Sequence, residues 1–190
     1  MYQTWEELES ACLNCKKCGL CEGRTHVVFG AGAQNAGVLF VGEGPGEQED
    51  LQGKPFVGRS GQLLDKLLDA VDLSREKNIY IGNIVKCRPP KNRDPLPEEQ
   101  KMCIDWLRNQ TMLLKPKIIV CLGRIAAMKL IRPDFHIMKE HGNFTEKKGV
   151  LMMATLHPAA LLRNPNNKPA AFEDFIRLRE QMDRFAQPDK

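Results

Sequence analysis

Three groups of residues in this sequence are typed and spaced for chemistry. Cys12, Cys15, Cys18 and Cys21 recur at every third position, with Lys16 and Lys17 among them. Thiolates at that spacing hold a metal ion or an iron–sulfur cluster. The run looks like half of a ferredoxin signature but has no Pro after its last Cys, so it need not supply all the ligands. The second group is Gly42-Glu43-Gly44-Pro45-Gly46-Glu47-Gln48-Glu49-Asp50. Its glycines let backbone approach a ligand closely. Its four carboxylates would repel an anion, and no Gly-Lys-Ser/Thr follows, so it is not a P-loop; an uncharged polar ligand suits it better. The third group is Asn83 and His157, each set at the end of an apolar run.

Strands and helices must bring these groups together. Val38-Leu39-Phe40-Val41 reads as a short buried strand feeding the Gly-rich loop. Further strands are expected over 79–87, 117–123 and 150–156, and helices over 5–12, 61–71 (N-capped by Ser60), 97–114, 124–131 and 168–186. In the last helix Phe172, Phe175, Ile176, Met182 and Phe185 are expected to face the core. Alternation along a strand puts Asn83 and Cys87 on one face of 79–87. Asn83 there requires hydrogen-bond partners, from backbone or from a ligand. Phe56 lies in a second Gly-rich loop, 53–61, as a core plug or a stacking platform. Arg88–Pro95 is a stiff basic loop, suited to solvent or to phosphate. Strands alternating with helices give an α/β fold, a three-layer α/β/α sandwich on a central, mostly parallel four-stranded sheet. The 42–50 loop, Asn83 and His157 all fall at carboxyl ends of strands, the edge where such sheets bind ligands.

Composition narrows the class. At 190 residues the chain suits one domain, 1–190, with the 12–21 segment packed on it through a metal centre. No apolar run spans a membrane and no secretory leader opens the chain, so a cytoplasmic protein without membrane attachment is expected. In that compartment seven cysteines point to metal or redox chemistry before disulfides. A net charge of +4 does not by itself establish a nucleic-acid partner.

The ordered motifs carry a resemblance. Cys-x2-Cys before Arg-Thr-x-Val-Val-Phe-Gly, Gly-Glu-Gly-Pro-Gly-Glu, Gly-x-Pro-Phe-Val-Gly, Asn-x-Val-Lys-Cys-Arg-Pro-Pro and His-Pro-x-x-Leu-Leu-Arg extend over residues 12–180. Together they resemble the family 4 uracil-DNA glycosylases, the iron–sulfur branch of that superfamily. The resemblance implies a monomeric DNA-repair hydrolase acting on uracil-containing DNA, with a 4Fe-4S cluster on Cys15, Cys18, Cys87 and Cys103; Cys12 and Cys21 fall outside that set. It implies that Gly42 and Gly44 shape the base pocket, Phe56 stacks on a flipped uracil and Asn83 reads its edge. His157 would lie by uracil O2, and Leu161 would fill the gap in the duplex. Lys86, Arg88, Arg93 and Arg163 would contact phosphates. Family 1 enzymes carry an Asp where Gly44 stands, so Glu43 or Glu47 must position the water; Glu47 is also the candidate for excluding the thymine methyl. A related branch traps DNA covalently through Lys-Arg-Arg-Ile-His; Lys91-Asn92-Arg93-Asp94-Pro95 stands here instead, and turnover is expected.

The residues suit that reaction. Extruding a base costs a few kcal/mol, and stacking on an aromatic returns about 1–3 kcal/mol. An Asn amide donates to uracil O4 and accepts from N3–H, a pattern cytosine does not offer. Cleavage builds negative charge on uracil O2, where a histidine donor stabilises it. The alternative is a non-catalytic four-cysteine module, holding zinc or an iron–sulfur cluster and binding nucleic acid through the basic loop. The 15 residues between Cys87 and Cys103 disfavour a zinc ribbon.

Overall fold

The computed structural model describes residues 2–186. Its centre is a parallel sheet of β2 (Val38–Gly42), β3 (Ile79–Asn83), β4 (Ile118–Leu122) and β6 (Val150–Thr155). The spatial order β3-β2-β4-β6 is parallel throughout. Two short antiparallel strands complete the edges: β1 (Ala31–Gly32) against β3, and β5 (Phe144–Lys147) against β6. Among the described residues the sheet therefore has six strands, its parallel core being the four expected.

Alternation along the strands builds two cores. Leu39, Val41, Tyr80, Ile119, Cys121 and Ala154 face one layer, with α1 (Trp5–Leu13), α5 (Pro97–Leu114) and α6 (Arg124–Leu130). Val38, Phe40, Ile79, Ile81, Val120 and Met153 face the other, with α4 (Arg59–Asp69), α8 (Pro158–Arg163) and α9 (Lys168–Ala186). The chain runs from β2 outward to β3, then crosses back over β2 to β4. That reversal opens a crevice at the carboxyl ends of β2 and β4, where α/β sheets place ligands.

Local chemistry sets the helix ends. Pro97 fits the first turn of α5, and Glu99 accepts from the Leu96 backbone N–H at 2.7 Å. α4 begins at Arg59 behind Gly58, so Ser60 lies inside the helix instead of capping it. Phe185 is 39% exposed, with the Lys117 ammonium over its ring, and does not join Phe175 in the core. β3 stops at Asn83, four residues earlier than its apolar run. The Ile84 and Val85 N–H groups then bond the carbonyls of Gly42 and Glu43, which turns the chain across the end of β2. Among the described residues no helix is long and apolar enough to cross a membrane.

Candidate active site

A cavity of about 510 Å³ opens at the carboxyl ends of the parallel strands, within the range of small-ligand sites. The sheet register sets Gly42 beside Asn83. Asn83 is 1% exposed, and its Oδ1 is buried without a hydrogen-bond partner. A lone buried acceptor of this kind costs about 1–3 kcal/mol unless a water or a ligand donates to it. A Cβ on Gly42 would collide with that Oδ1 and come within 2.7 Å of the Phe56 ring. Glycine is therefore required there by space. Phe56 lines the cavity in the left-handed region, at φ 52°, its ring centroid 5.7 Å from that of His157.

His157 follows β6 and caps α8, and its Nδ1 accepts from the Ala159 N–H at 3.1 Å. That bond leaves the ring proton on Nε2. Burial, reinforced by Arg163, pushes the imidazole down to about 4. At neutral pH the ring is thus uncharged, with one N–H donor available to the cavity. Gly123, at φ 89°, backs it closely; a Cβ there would lie 2.9 Å from His157 Cβ.

The acids separate by location. Glu43 is half-buried and lines the cavity. Desolvation pushes its carboxyl up to about 7, aided by Asp94 within hydrogen-bonding reach and opposed by Arg124. Arg124 pairs with Asp94 at 2.7 Å. Glu47 is exposed, pairs with Arg88 at 3.5 Å and is not among the lining residues. Glu49, 8% exposed, lines the cavity instead, and its Oε1 accepts from the N–H groups of Val57 and Gly58 at 2.9 and 2.8 Å. The helical turn of α3 (Glu47–Gln52) points Glu49 inward and Glu47 outward. The acid-rich loop signalled both residues, but only the helix phase separates them.

Two expected DNA contacts are corrected. Lys86 is 1% exposed, and its ammonium donates to Gln110 Oε1 at 2.6 Å; the early end of β3 turns it inward, out of reach of phosphate. Leu161 is fully buried, because the inner face of α8 packs on α4, and does not stand at the surface here. Arg163 is exposed at the cavity rim. Arg93 also lines the rim, though its guanidinium is spanned by Glu99 at 2.6 and 2.9 Å. Arg88 bonds Asn92 Oδ1 at 2.8 Å. His26 and His141 serve local structure, with His141 Nδ1 2.8 Å from buried Asp174.

A second, small cavity gathers Cys15, Cys18, Cys87 and Cys103, with Cys21 also on its wall; Cys12 is buried outside it. The four come from the turn after α1, the loop after β3 and one face of α5. N–H donors already address three sulfurs: Trp106 Nε1 on Cys15 at 3.4 Å, Arg24 on Cys87 at 3.3 Å and the Lys86 amide on Cys103 at 3.2 Å. Among the described residues no three His, Cys, Asp or Glu side chains stand close enough to grip a single metal ion. A set of four soft donors with N–H groups on the sulfurs has the chemistry a thiolate-held cluster requires.

The sheet and its switch point define an α/β protein with a partly polar cavity, one wall of it aromatic, at the carboxyl ends of its strands. The sequence profile of the uracil DNA glycosylase superfamily matches residues 29–178, and the chain belongs to that superfamily. Type-4 uracil-DNA glycosylases are among the proteins it is similar to. A type-4 uracil-DNA glycosylase of Archaeoglobus fulgidus is 40% identical over 94% of this chain and 93% of its own length. One from Thermotoga maritima is 43% identical over 88% and 90%, and one from Sulfurisphaera tokodaii 37% over 92% and 83%.

Proposed function

We infer that the chain is a uracil-DNA glycosylase of DNA repair, whose residues 1–190 form one catalytic domain that hydrolyses the N-glycosidic bond of a flipped uracil. The observation that carries the reading is the unpaired Oδ1 of Asn83 on the cavity floor. Uracil N3–H supplies the missing donor, and the Asn83 amide N–H₂ meets O4. Cytosine presents an acceptor at N3, which leaves Oδ1 unpaired and adds repulsion, so the same atom rejects the normal base.

The other residues divide the work. Phe56 offers its ring face to the extruded base and returns part of the unstacking cost. As the bond breaks, negative charge gathers on O2, and the neutral His157 donates from Nε2 to that oxygen. Positive charge gathers on the sugar. Glu43, once ionised, faces it and orients the water that attacks the sugar carbon. Gly42 and Gly44 leave room for these contacts; a Cβ on Gly44 would come within 2.7 Å of Val85. Arg163 and Arg88 provide phosphate contacts at the mouth, with Arg93 holding the loop to α5.

Cys15, Cys18, Cys87 and Cys103 are the residues that would hold a 4Fe-4S cluster. Such a cluster supplies a cross-link among the N-terminal segment, the loop after β3 and α5. Asn83 and Cys87 are four residues apart, which sets that cross-link beside the pocket floor.

The test is incubation of the purified protein with a uracil-containing oligonucleotide, followed by alkali. Strand scission at the uracil position, absent with the matching thymine or cytosine oligonucleotide, is the expected result. An intact strand after alkali would sink the assignment.

A further inference from the structure

Phe56 stands in a backbone conformation that a bulky residue adopts only when its surroundings impose it. Two charged side chains outside the ring's own contacts impose it here. On the C-terminal side, Glu49 Oε1 takes both the Val57 and Gly58 N–H groups. On the N-terminal side, Arg75 donates to the carbonyls of Pro55 and Phe56, each at 2.6 Å, while its Nε is anchored on Asp65 of α4 at 2.8 Å. Gly61 completes the fit, because a Cβ there would collide with the Phe56 carbonyl. Every backbone polar group from Pro55 O to Gly58 N that Arg75 and Glu49 reach is thus held by a buried or half-buried ionic group. Arg75 itself does not line the cavity. A planar guanidinium with two parallel N–H groups spans adjacent carbonyls; a lysine ammonium does not.

We propose that Arg75 and Glu49 are positioning residues for base capture, clamping the 55–58 backbone from both sides so that the Phe56 ring is fixed over the pocket before a base arrives. The proposal rests on Phe56 being the stacking residue. Its physical content is preorganisation: a ring already in place spends less of its stacking energy on ordering the loop.

A double-mutant cycle separates this from a general effect on folding. Single-turnover uracil excision is measured for Phe56→Ala, Arg75→Ala, Arg75→Lys and the pair Phe56→Ala/Arg75→Ala, with circular dichroism and thermal melting on each. Loss of one stacked base corresponds to about 5- to 150-fold in rate. Phe56→Ala is expected in that span, Arg75→Ala close behind it, and the double variant no slower than Phe56→Ala alone. Arg75→Lys, which keeps the charge but not the two parallel donors, is expected to lose most of the same factor while its circular dichroism stays that of the parent. Multiplicative losses in the double variant, or parent-like excision by Arg75→Lys, would overturn the clamp. Parent-like excision by Phe56→Ala would instead overturn the stacking role on which the clamp depends.

Discussion

Uracil excision is expected to slow about tenfold between pH 8 and pH 6, with Glu43 as the titrating group. The carboxyl is half-buried against Asp94, and its acidity is shifted up to about 7. In the proposed mechanism only the ionised form holds the water and answers the charge on the sugar. The ionised fraction is about nine-tenths at pH 8 and about one-tenth at pH 6, so log rate rises with unit slope and flattens above 7. His157, pushed down to about 4, stays neutral across this window and adds no second limb. The assay is single-turnover excision from a labelled uracil oligonucleotide at sub-saturating enzyme, which reads the free protein. Ionic strength is held constant, because phosphate contacts are salt-dependent. Glu43→Gln is expected to be slow and flat with pH. A flat parent profile, or a Glu43→Gln variant that keeps the acid limb, would refute the reasoning and move the role to Glu49 or Asp94, the other carboxylates on the cavity wall.

Four further outcomes follow from the same geometry. His157→Ala removes the donor to O2 and is expected to cost about 100–1000-fold in single-turnover rate, with DNA binding by gel shift near that of the parent. Asn83→Asp loses the donor to O4 and repels it, so uracil excision should collapse, with residual activity drifting toward cytosine; retained activity on the uracil oligonucleotide would remove Asn83 from base reading. Cys15→Ser and Cys103→Ser are expected to lower iron content and visible absorbance, while Cys12→Ser leaves both intact; colourless protein with stoichiometric zinc would contradict the ligand set. Glu43→Gln should also raise the melting temperature at pH 8. The folded acid has its affinity for protons raised, so the fold binds more protons than the unfolded chain between about 4.5 and 7, and stability falls as pH rises through that window. The gain from Gln should fade toward pH 4.5, and a variant less stable than the parent at pH 8 would count against a strained carboxylate.

The parallel strands and α5 were legible because buried strands are apolar runs and α5 carries its own start signal at Pro97-Glu98-Glu99. The edge strands were not. β1 has two residues, and three of the four in β5 are exposed, so neither shows an apolar pattern. Lys86 was misplaced for a related reason. In sequence it stands near the end of the strand expected over 79–87, just before the basic loop, and only the early end of β3 turns it toward Gln110. Glu47 and Glu49 differ by a helix phase that glycine-rich sequence conceals, and Leu161 by the packing of α8 on α4. Arg75 carries no local signal, since Asp65 lies 10 residues away and the two carbonyls it holds lie 19 and 20 away.

Buried polar groups are answered or unanswered here, and since Ser74 Oγ is unanswered away from the cavity, it is convergence on one cavity that marks the site. Lys86 is buried but answered within the protein: Gln110 Oε1 accepts a hydrogen bond from its ammonium, and the Gln110 amide N–H₂ donates to the Phe29 carbonyl at 2.9 Å. No ligand is needed to complete that chain. Asn83 Oδ1 is buried and unanswered, Glu43 is a half-buried acid beside a second acid, and Phe56 is held in left-handed backbone. Each breaks a local rule at a cost in stability, and all three abut one cavity. A ligand with a ring N–H, a flat face and a neighbouring sugar that becomes cationic offsets each of the three in turn. Packing alone favours replacing them by apolar residues, as the rest of both cores does, so their convergence is better explained by the reaction than by the fold.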